Sequence, residues 1–592
     1  MAPRPFRRDP WFIAFLAALG SLTAGLGFLG LALVQYADDP ADNPAARAAT
    51  PGATATGAPT GPLRVQGSIP AHVPADGLAL ADDAHPPDIV LSTPSQPGAG
   101  VVTRYWAWVA SPHAGLDALT TTQLRLMLDG TGAPAGAGGL GASILVVAAA
   151  ADIDQVKRLS GTATTVQDRA TYGTIRAEMS DPRNPLLLAL IPLDEVTPGM
   201  TAIAIDGTDI VRGRGDTATW PFADRLEVTP RTPRGQAEAP LIRSRFSASL
   251  PAVTTVVATG DILIARCTLT KVRALGDWAA PLRGPVGEYL AAADLALASL
   301  DASIQDIGLP YGCVETTNLT SPPQVIESLT LAGIDEATVA TNHAADCGEG
   351  GCGTGMKALL RTLALLNGAG IKTVGGGSTL AEALAPAIFT VDGVTFGILG
   401  FDDIAAEELQ ATATEPGTAP LDDSYADERA ALPREPAFYK PASMLGVTRL
   451  QETVRQLKTQ VDVVIVQVQS GTEDTHDPSP RSIKALRAAA DAGADLVVGN
   501  QAHYVQAVEP RADAFVAYAL GNFIFDQRHT PEHQQGYLLE ATFWAKKLVN
   551  VRLVPYQIRD QYQPVFAEGD LRAKILGDVW DASRRLAAAT AP

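Results

Sequence analysis

Three apolar, β-branched-rich runs constrain this chain more than any other feature. VDVVIVQVQSG starts at Val461, GADLVVGNQAHYVQAVE ends at Glu509, and FVAYALGNFIFD ends at Asp526. Each stops abruptly at polar residues and glycine, as buried strands bounded by turns do. The same texture occurs earlier. VTTVVATGD runs into Asp261, ADLALASLD into Asp301, and IDEATVATNHAADCGEGG into Asn342 and His343. Helical patterns lie between the runs. PPQVIESLTLAG opens on proline and closes on glycine, the asymmetry of helix ends. GMKALLRTLALLNG places Met356, Leu359, Leu360 and Leu363 at i, i+3, i+4 and i+7, one apolar face. LGVTRLQETVRQLKTQ and RSIKALRAAADAG repeat the pattern. This alternation predicts a layered α/β domain over residues 248–560.

Every strand end in that domain carries a metal-type or proton-handling residue: Asp261, Asp301, Asn342 with His343, Gln469, then Gln501 and His503. Each has an ordinary reading alone. An aspartate after glycine caps a helix, a lone histidine satisfies a neighbour, and an asparagine supports a turn. Together they are the oxygen and imidazole donors that a dinuclear, metal-assisted phosphoesterase site requires.

The remaining chain predicts a tethered, multi-domain protein, since it is too long for one core. Residues 1–10 carry Arg4, Arg7 and Arg8, and an uncharged run from Trp11 to Val34 follows before Asp38 and Asp39. As a helix that run is about 36 Å long, enough to cross a bilayer. The flanking charges orient it N-in, C-out. Residues 11–36 are therefore expected to be a single-pass signal anchor, with the bulk of the chain outside the cytoplasm. A cleaved signal peptide is the competing reading. Residues 37–65 have the composition of a linker. A smaller α/β domain is expected over 66–240 and a helical tail over 561–592. The formal charge of −19 argues against nucleic-acid binding, which needs clustered cations. The four cysteines pair most simply as Cys347 with Cys352 and Cys267 with Cys313. A four-thiolate zinc site is the alternative, although the paired CxxC spacings are missing.

Two resemblances add to these readings. RYWAWVASPHAGLDALTTTQLRLMLDG and LALIPLDEVTPGMTAIAIDG are similar in part to extracytoplasmic solute-binding domains related to phosphate-binding proteins. That makes 66–240 either a ligand receptor or a ligand-free spacer of that fold. GDILIAR, SLDASI, LAGIDEATVATNHAADCG, VIVQVQSGTED, GADLVVGNQAHYVQAVE and YALGNFIFD occur in that order. They resemble the CapA family of capsule and poly-γ-glutamate synthesis proteins, a metallophosphatase-like group.

The CapA resemblance implies a calcineurin-like metallophosphoesterase β-sandwich flanked by helices. It implies a divalent metal (Mn, Zn, Fe, Mg or Ca) on Asp261, Asp301, Asn342, His343, Gln469, Gln501 and His503. His343 and His503 are then catalytic, with Asp346, Glu473 and His476 in support. It also implies a role in synthesis, export or anchoring of an anionic surface polymer. The expected partners are the membrane, polymer-synthesis or export proteins, and an anionic polymer or phosphoester ligand. The chain departs from the family pattern at Gln469, Asn500 and Gln501, which stand where histidines are expected. These departures motivate a rival reading, a scaffold that keeps the fold without the chemistry.

Overall fold

The computed structural model describes residues 61–96, 98–129, 144–161, 166–353, 356–422 and 446–589. The expected membrane anchor and most of its linker lie outside the described residues. No helix among the described residues is long and apolar enough to cross a membrane.

The strands predicted around the site build two sheets. In the first, Val253–Ile262, Leu295–Leu300, Glu336–Thr338 and Lys372–Val374 run parallel, in that spatial order. On the other side of Val253–Ile262 the sheet turns antiparallel through Gln535–Trp544, Lys547–Arg559 and Gln563–Phe566. In the second sheet Val394–Asp402, Val463–Gln469, Leu496–Asn500 and Phe515–Ala517 are parallel. Antiparallel strands Ala387–Val391 and Val508–Pro510 form its edges. Parallel neighbours need long crossovers, and the helices Lys357–Gly368, Thr448–Lys458 and Pro480–Asp491 supply three of them.

Side chains alternate along each strand, and this alternation decides how the layers meet. Val256, Ala258, Leu295 and Leu297 of the first sheet share one core with Phe396, Ile398, Val463, Ile465, Leu496 and Val498 of the second. The interleaved Val257, Ala296 and Ala298 pack outward against Leu269, Leu329 and Leu359. Val464, Val466 and Val497 do the same against Leu450, Val454 and Leu486. The result is helices, sheet, sheet, helices. The predicted mixed α/β architecture is present. FVAYALGNFIFD reads as one strand but is two. Phe515–Ala517 belongs to the second sheet, and Asn522–Ile524 pairs with Val253–Ile262 in the first. Gly521, at φ +82, makes the crossing, and a Cβ on Gly260 would lie 1.9 Å from the Gly521 carbonyl oxygen. Glycine at both positions is what lets the two backbones meet.

Residues 63–230 form a nine-stranded mixed sheet. Its helix Thr121–Leu128 starts at a capping box between Thr120 and Gln123, which satisfies two backbone donors at once. The helix Pro233–Phe246 folds back on that sheet through Ala239, Ile242 and Phe246, so this region's packing extends past residue 240. The described residues from Leu63 onward pack as one compact unit. The junction is polar as well as apolar. The Ala202 N–H donates to Asn550 Oδ1 at 3.0 Å and the Trp544 indole N–H to the Val211 carbonyl at 2.8 Å. Arg212 reaches Glu540 at 2.9 Å. The helix Gly569–Ala589 completes the core with Ile575, Val579 and Trp580. Disulfides join Cys267 to Cys313 and Cys347 to Cys352.

Candidate metal centre

Strand register lines up the candidate side chains. Asp261 pairs with Ser299 on one side and Asn522 on the other. Gln469 pairs with Asp402 on one side and Asn500 on the other, at the ends of three adjacent strands. Asp301 continues the parity of Leu295 and Leu297, and Gln469 and Asn500 that of Ile465 and Val498. All therefore belong to the face between the sheets. The site is the open end of the inter-sheet core.

Asp261, Asp301 and His503 meet there. One ligand-type atom from each lies within 4.8 Å of the others, and all three residues are buried. Asp261 Oδ1 accepts from the Ser299 hydroxyl at 2.9 Å. Both carboxylate oxygens of Asp301 are buried without a well-formed hydrogen bond. Burial and the Asp261 charge push its carboxyl up to about 6, against the easing effect of His343, His503 and the Thr341 hydroxyl. A carboxylate left this way costs several kcal/mol unless a cation offsets it.

The tautomer of His503 follows from its neighbours. The Asn522 amide donates to Gln527 Oε1 and to the His533 carbonyl, both at 3.1 Å. That fixes Asn522 Oδ1 as an acceptor. It lies 2.9 Å from His503 Nδ1, so Nδ1 carries a proton in either charge state, and in the neutral ring the lone pair is on Nε2. Burial disfavours charge on this imidazole, but Asp261, at 3.5 Å, together with Asp301 and Glu473 raises it to about 9. His343 Nδ1 bonds Asp346 Oδ2 at 2.7 Å. Burial lowers the His343 pKa, and Asp301 and Asp346 more than reverse that, so the ring is held above its ordinary value.

The other predicted residues divide. Asn342 Oδ1 is buried without a partner. Gln469 Nε2 donates to Gln501 Oε1, and Gln501 Nε2 donates to Glu473 Oε1, each at 2.9 Å. His476 stands apart: its Nδ1 lies 2.7 Å from the Val505 carbonyl and its Nε2 3.8 Å from Asp578. Sequence reasoning passed over four contributors. Ser299 and Asn522 orient Asp261 and His503. Asp402 ends its strand beside Gln469, with Oδ2 buried and unpartnered. Asp403 holds Arg481 and accepts from the Ser470 hydroxyl at 3.1 Å, which fixes the loop after Gln469. The signal for the last two was the FDD doublet closing an apolar strand.

Two carboxylates and an imidazole, buried and close together, are a donor set suited to a divalent transition ion or magnesium. The residues present fit such an ion. Residues 255–527 match the family described as Bacterial capsule synthesis protein PGA_cap. In this region the chain resembles the CapA capsule-synthesis proteins. It is 32% identical over 192 residues to the PGA biosynthesis protein CapA of Bacillus subtilis, covering 32% of this chain and 42% of that protein. It is 26% identical over 213 residues to the Capsule biosynthesis protein CapA of Bacillus anthracis, covering 36% of this chain and 45% of that one. The chain thus spans less than half the length of these two relatives. Among solved structures, Haemophilus influenzae NAD nucleotidase aligns over 55% of this chain and 62% of its own, at 12% identity and a TM-score of 0.29. A likeness that weak carries no argument.

Proposed function

We propose that this CapA-like chain serves the synthesis, export or anchoring of an anionic surface polymer of the capsule or poly-γ-glutamate type. It does so outside the cytoplasm, tethered by its Trp11–Val34 segment. We further propose that its calcineurin-like double sheet holds a divalent cation at Asp261, Asp301 and His503 for hydrolysis of a phosphoester or acyl bond. The observation that carries this reading is Asp301, wholly buried with no well-formed hydrogen bond to either oxygen, beside Asp261 and His503. When bound, the cation would supply Lewis-acid polarisation of a phosphoryl or acyl oxygen.

The chain's own groups have separable tasks. Asn522 keeps a proton on His503 Nδ1, which leaves Nε2 as the nitrogen that would serve a cation. His343, steadied by Asp346, holds a proton that it can give to a leaving oxygen. The sheets exclude water from the carboxylates. A bound cation also answers an electrostatic difficulty, since an acidic protein repels an acidic polymer.

The test is calorimetric titration of the full chain with Mn2+, followed by assays on phosphomonoesters, phosphodiesters and poly-γ-glutamate. Cation binding with turnover of one of these, both lost in Asp301→Asn, is expected. Absence of cation binding sinks the reading. A second reading is supported by the Gln469–Gln501–Glu473 string, whose amides are already satisfied. On that reading the domain binds a cation but acts as a scaffold, and binding without turnover of any of these substrates favours it.

A further inference from the structure

We infer that this centre holds one cation per chain, and that the adjoining position occupied by Gln469, Gln501 and Glu473 is closed to a second. The inference rests on the cation reading above and goes beyond it in assigning the stoichiometry and the residues that set it.

The donor atoms at the mouth of the inter-sheet core fall into two classes. Those of the first class are buried without a well-formed hydrogen bond: both oxygens of Asp301, Asn342 Oδ1, Asn500 Oδ1 and Asp402 Oδ2. Each is a buried acceptor without a full protein partner, the condition of a group that waits for a ligand. Those of the second class are spent on one another. Gln501 Oε1 is the atom by which that residue would ligate, and it already accepts from Gln469 Nε2. The Gln501 amide nitrogen is taken by Glu473. A cation entering here must break both bonds and approach two N–H donors, whose positive ends repel it. The glutamines offer it only a neutral amide oxygen, a weaker donor than imidazole or carboxylate for a transition ion, and the Glu473 carboxylate there already accepts from Gln501 at 2.9 Å. Among the described residues, Asp261, Asp301 and His503 form the one group of three ionisable side chains close enough to share an ion.

The string has a task of its own. Gln501 and His503 are non-glycine residues in the left-handed region, at φ +98 and +58, as is Asp474 at +62. Each such residue costs of the order of 1–3 kcal/mol and persists only when its surroundings hold it. Here the holding groups are explicit. Gln501 is bonded through both ends of its amide, and the Asp474 N–H donates to the Ala502 carbonyl at 3.0 Å. The loop is therefore clamped on either side of the residue that feeds His503 to Asp261. Gln469, Gln501 and Glu473 are positioning residues: hydrogen bonds fasten the turn in the place where a second ion would sit.

The experiment is metal counting on the full chain. The protein is equilibrated with Mn2+, freed of excess and assayed for manganese by mass spectrometry, with an electron paramagnetic resonance spectrum as a second readout. One ion per chain is expected, with the six-line signal of an isolated Mn2+. Gln501→Ala keeps the count at one and weakens binding about tenfold, as loss of an outer partner does. Gln469→His with Gln501→His raises the count to two and broadens the signal by exchange. Two ions in the natural chain overturn the inference but leave the cation reading standing. No ion overturns that reading, and this inference with it. A double variant that folds yet still binds one ion refutes the assignment of the closure to the glutamines. The count in the natural chain decides the stoichiometry whether or not that variant folds.

Discussion

Replacing Glu540 by glutamine tests whether charge fastens the first α/β region to the sheets that carry the site. Glu540 lies within Gln535–Trp544 with no exposed side-chain surface. It is 2.9 Å from Arg212 and 3.3 Å from Arg214. Arg552 faces it across the strand pair, and the Tyr289 hydroxyl donates to it. Burial by itself would raise the carboxyl. The guanidinium groups of Arg552, Arg212 and Arg214 outweigh burial and hold it down to about 2, from an ordinary 4.5. The gap between those values is worth about 3 kcal/mol of preference for the charged form in the folded protein. Glutamine keeps the shape and removes the charge, leaving Arg212 buried against Asp209 alone of its two carboxylate partners.

The pH dependence has a definite sign. A depressed carboxyl pKa stabilises fully above about pH 4.5, and the benefit is lost as the pH falls toward 2. Urea unfolding followed by tryptophan emission reads the junction, because Trp544 donates its indole N–H to Val211. E540Q is expected to be less stable by about 3 kcal/mol at pH 7, the difference shrinking below about 1 kcal/mol near pH 2.5. Coincident urea midpoints at pH 7, or a difference that pH does not change, would refute the reasoning.

Three further outcomes are expected. Asn522→Ala frees the His503 ring to turn and change tautomer, and should weaken Mn2+ binding about 10- to 100-fold in a calorimetric titration. Burial pushes the Glu336 carboxyl well above its usual range while Gln467 donates to it at 2.7 Å. Glu336→Gln removes a carboxyl whose charged form burial disfavours, and should be neutral or stabilising in denaturant titrations at pH 7; a loss of more than about 1 kcal/mol would count against this reading. Cys267 and Cys313 close a separation of 46 residues. Replacing both by serine should lower stability by about 3–4 kcal/mol and speed amide exchange in residues 302–320 by the matching factor, measured by mass spectrometry.

The candidate site shows where sequence reading reaches and where it stops. A strand end is a local event. VTTVVATGD, ADLALASLD and VIVQVQSG each announce in their own residues where the apolar run stops and which polar group follows. Asp261, Asp301 and Gln469 could therefore be named without coordinates. His476 shows the limit. It lies in the same loop as Glu473, yet its ring turns to the Val505 carbonyl and Asp578, because a loop's direction depends on what it packs against. Asn522 was hidden for a related reason. Its task is to orient His503, and the two come together only where separate segments of the chain meet.

What this sequence determined by itself is periodic. The alternation of strand and helix requires a layered α/β core, and the period of two sends Asp301, Gln469 and Asn500 to the same face as the leucines, isoleucines and valines before them. Tertiary structure alone decided what those residues became. It sent FVAYALGNFIFD from one sheet to the other at Gly521, because two glycines let the backbones touch. It left Asp301 bare and gave Gln469 to Gln501, because burial removes water from all of them while only some find a protein partner in its place.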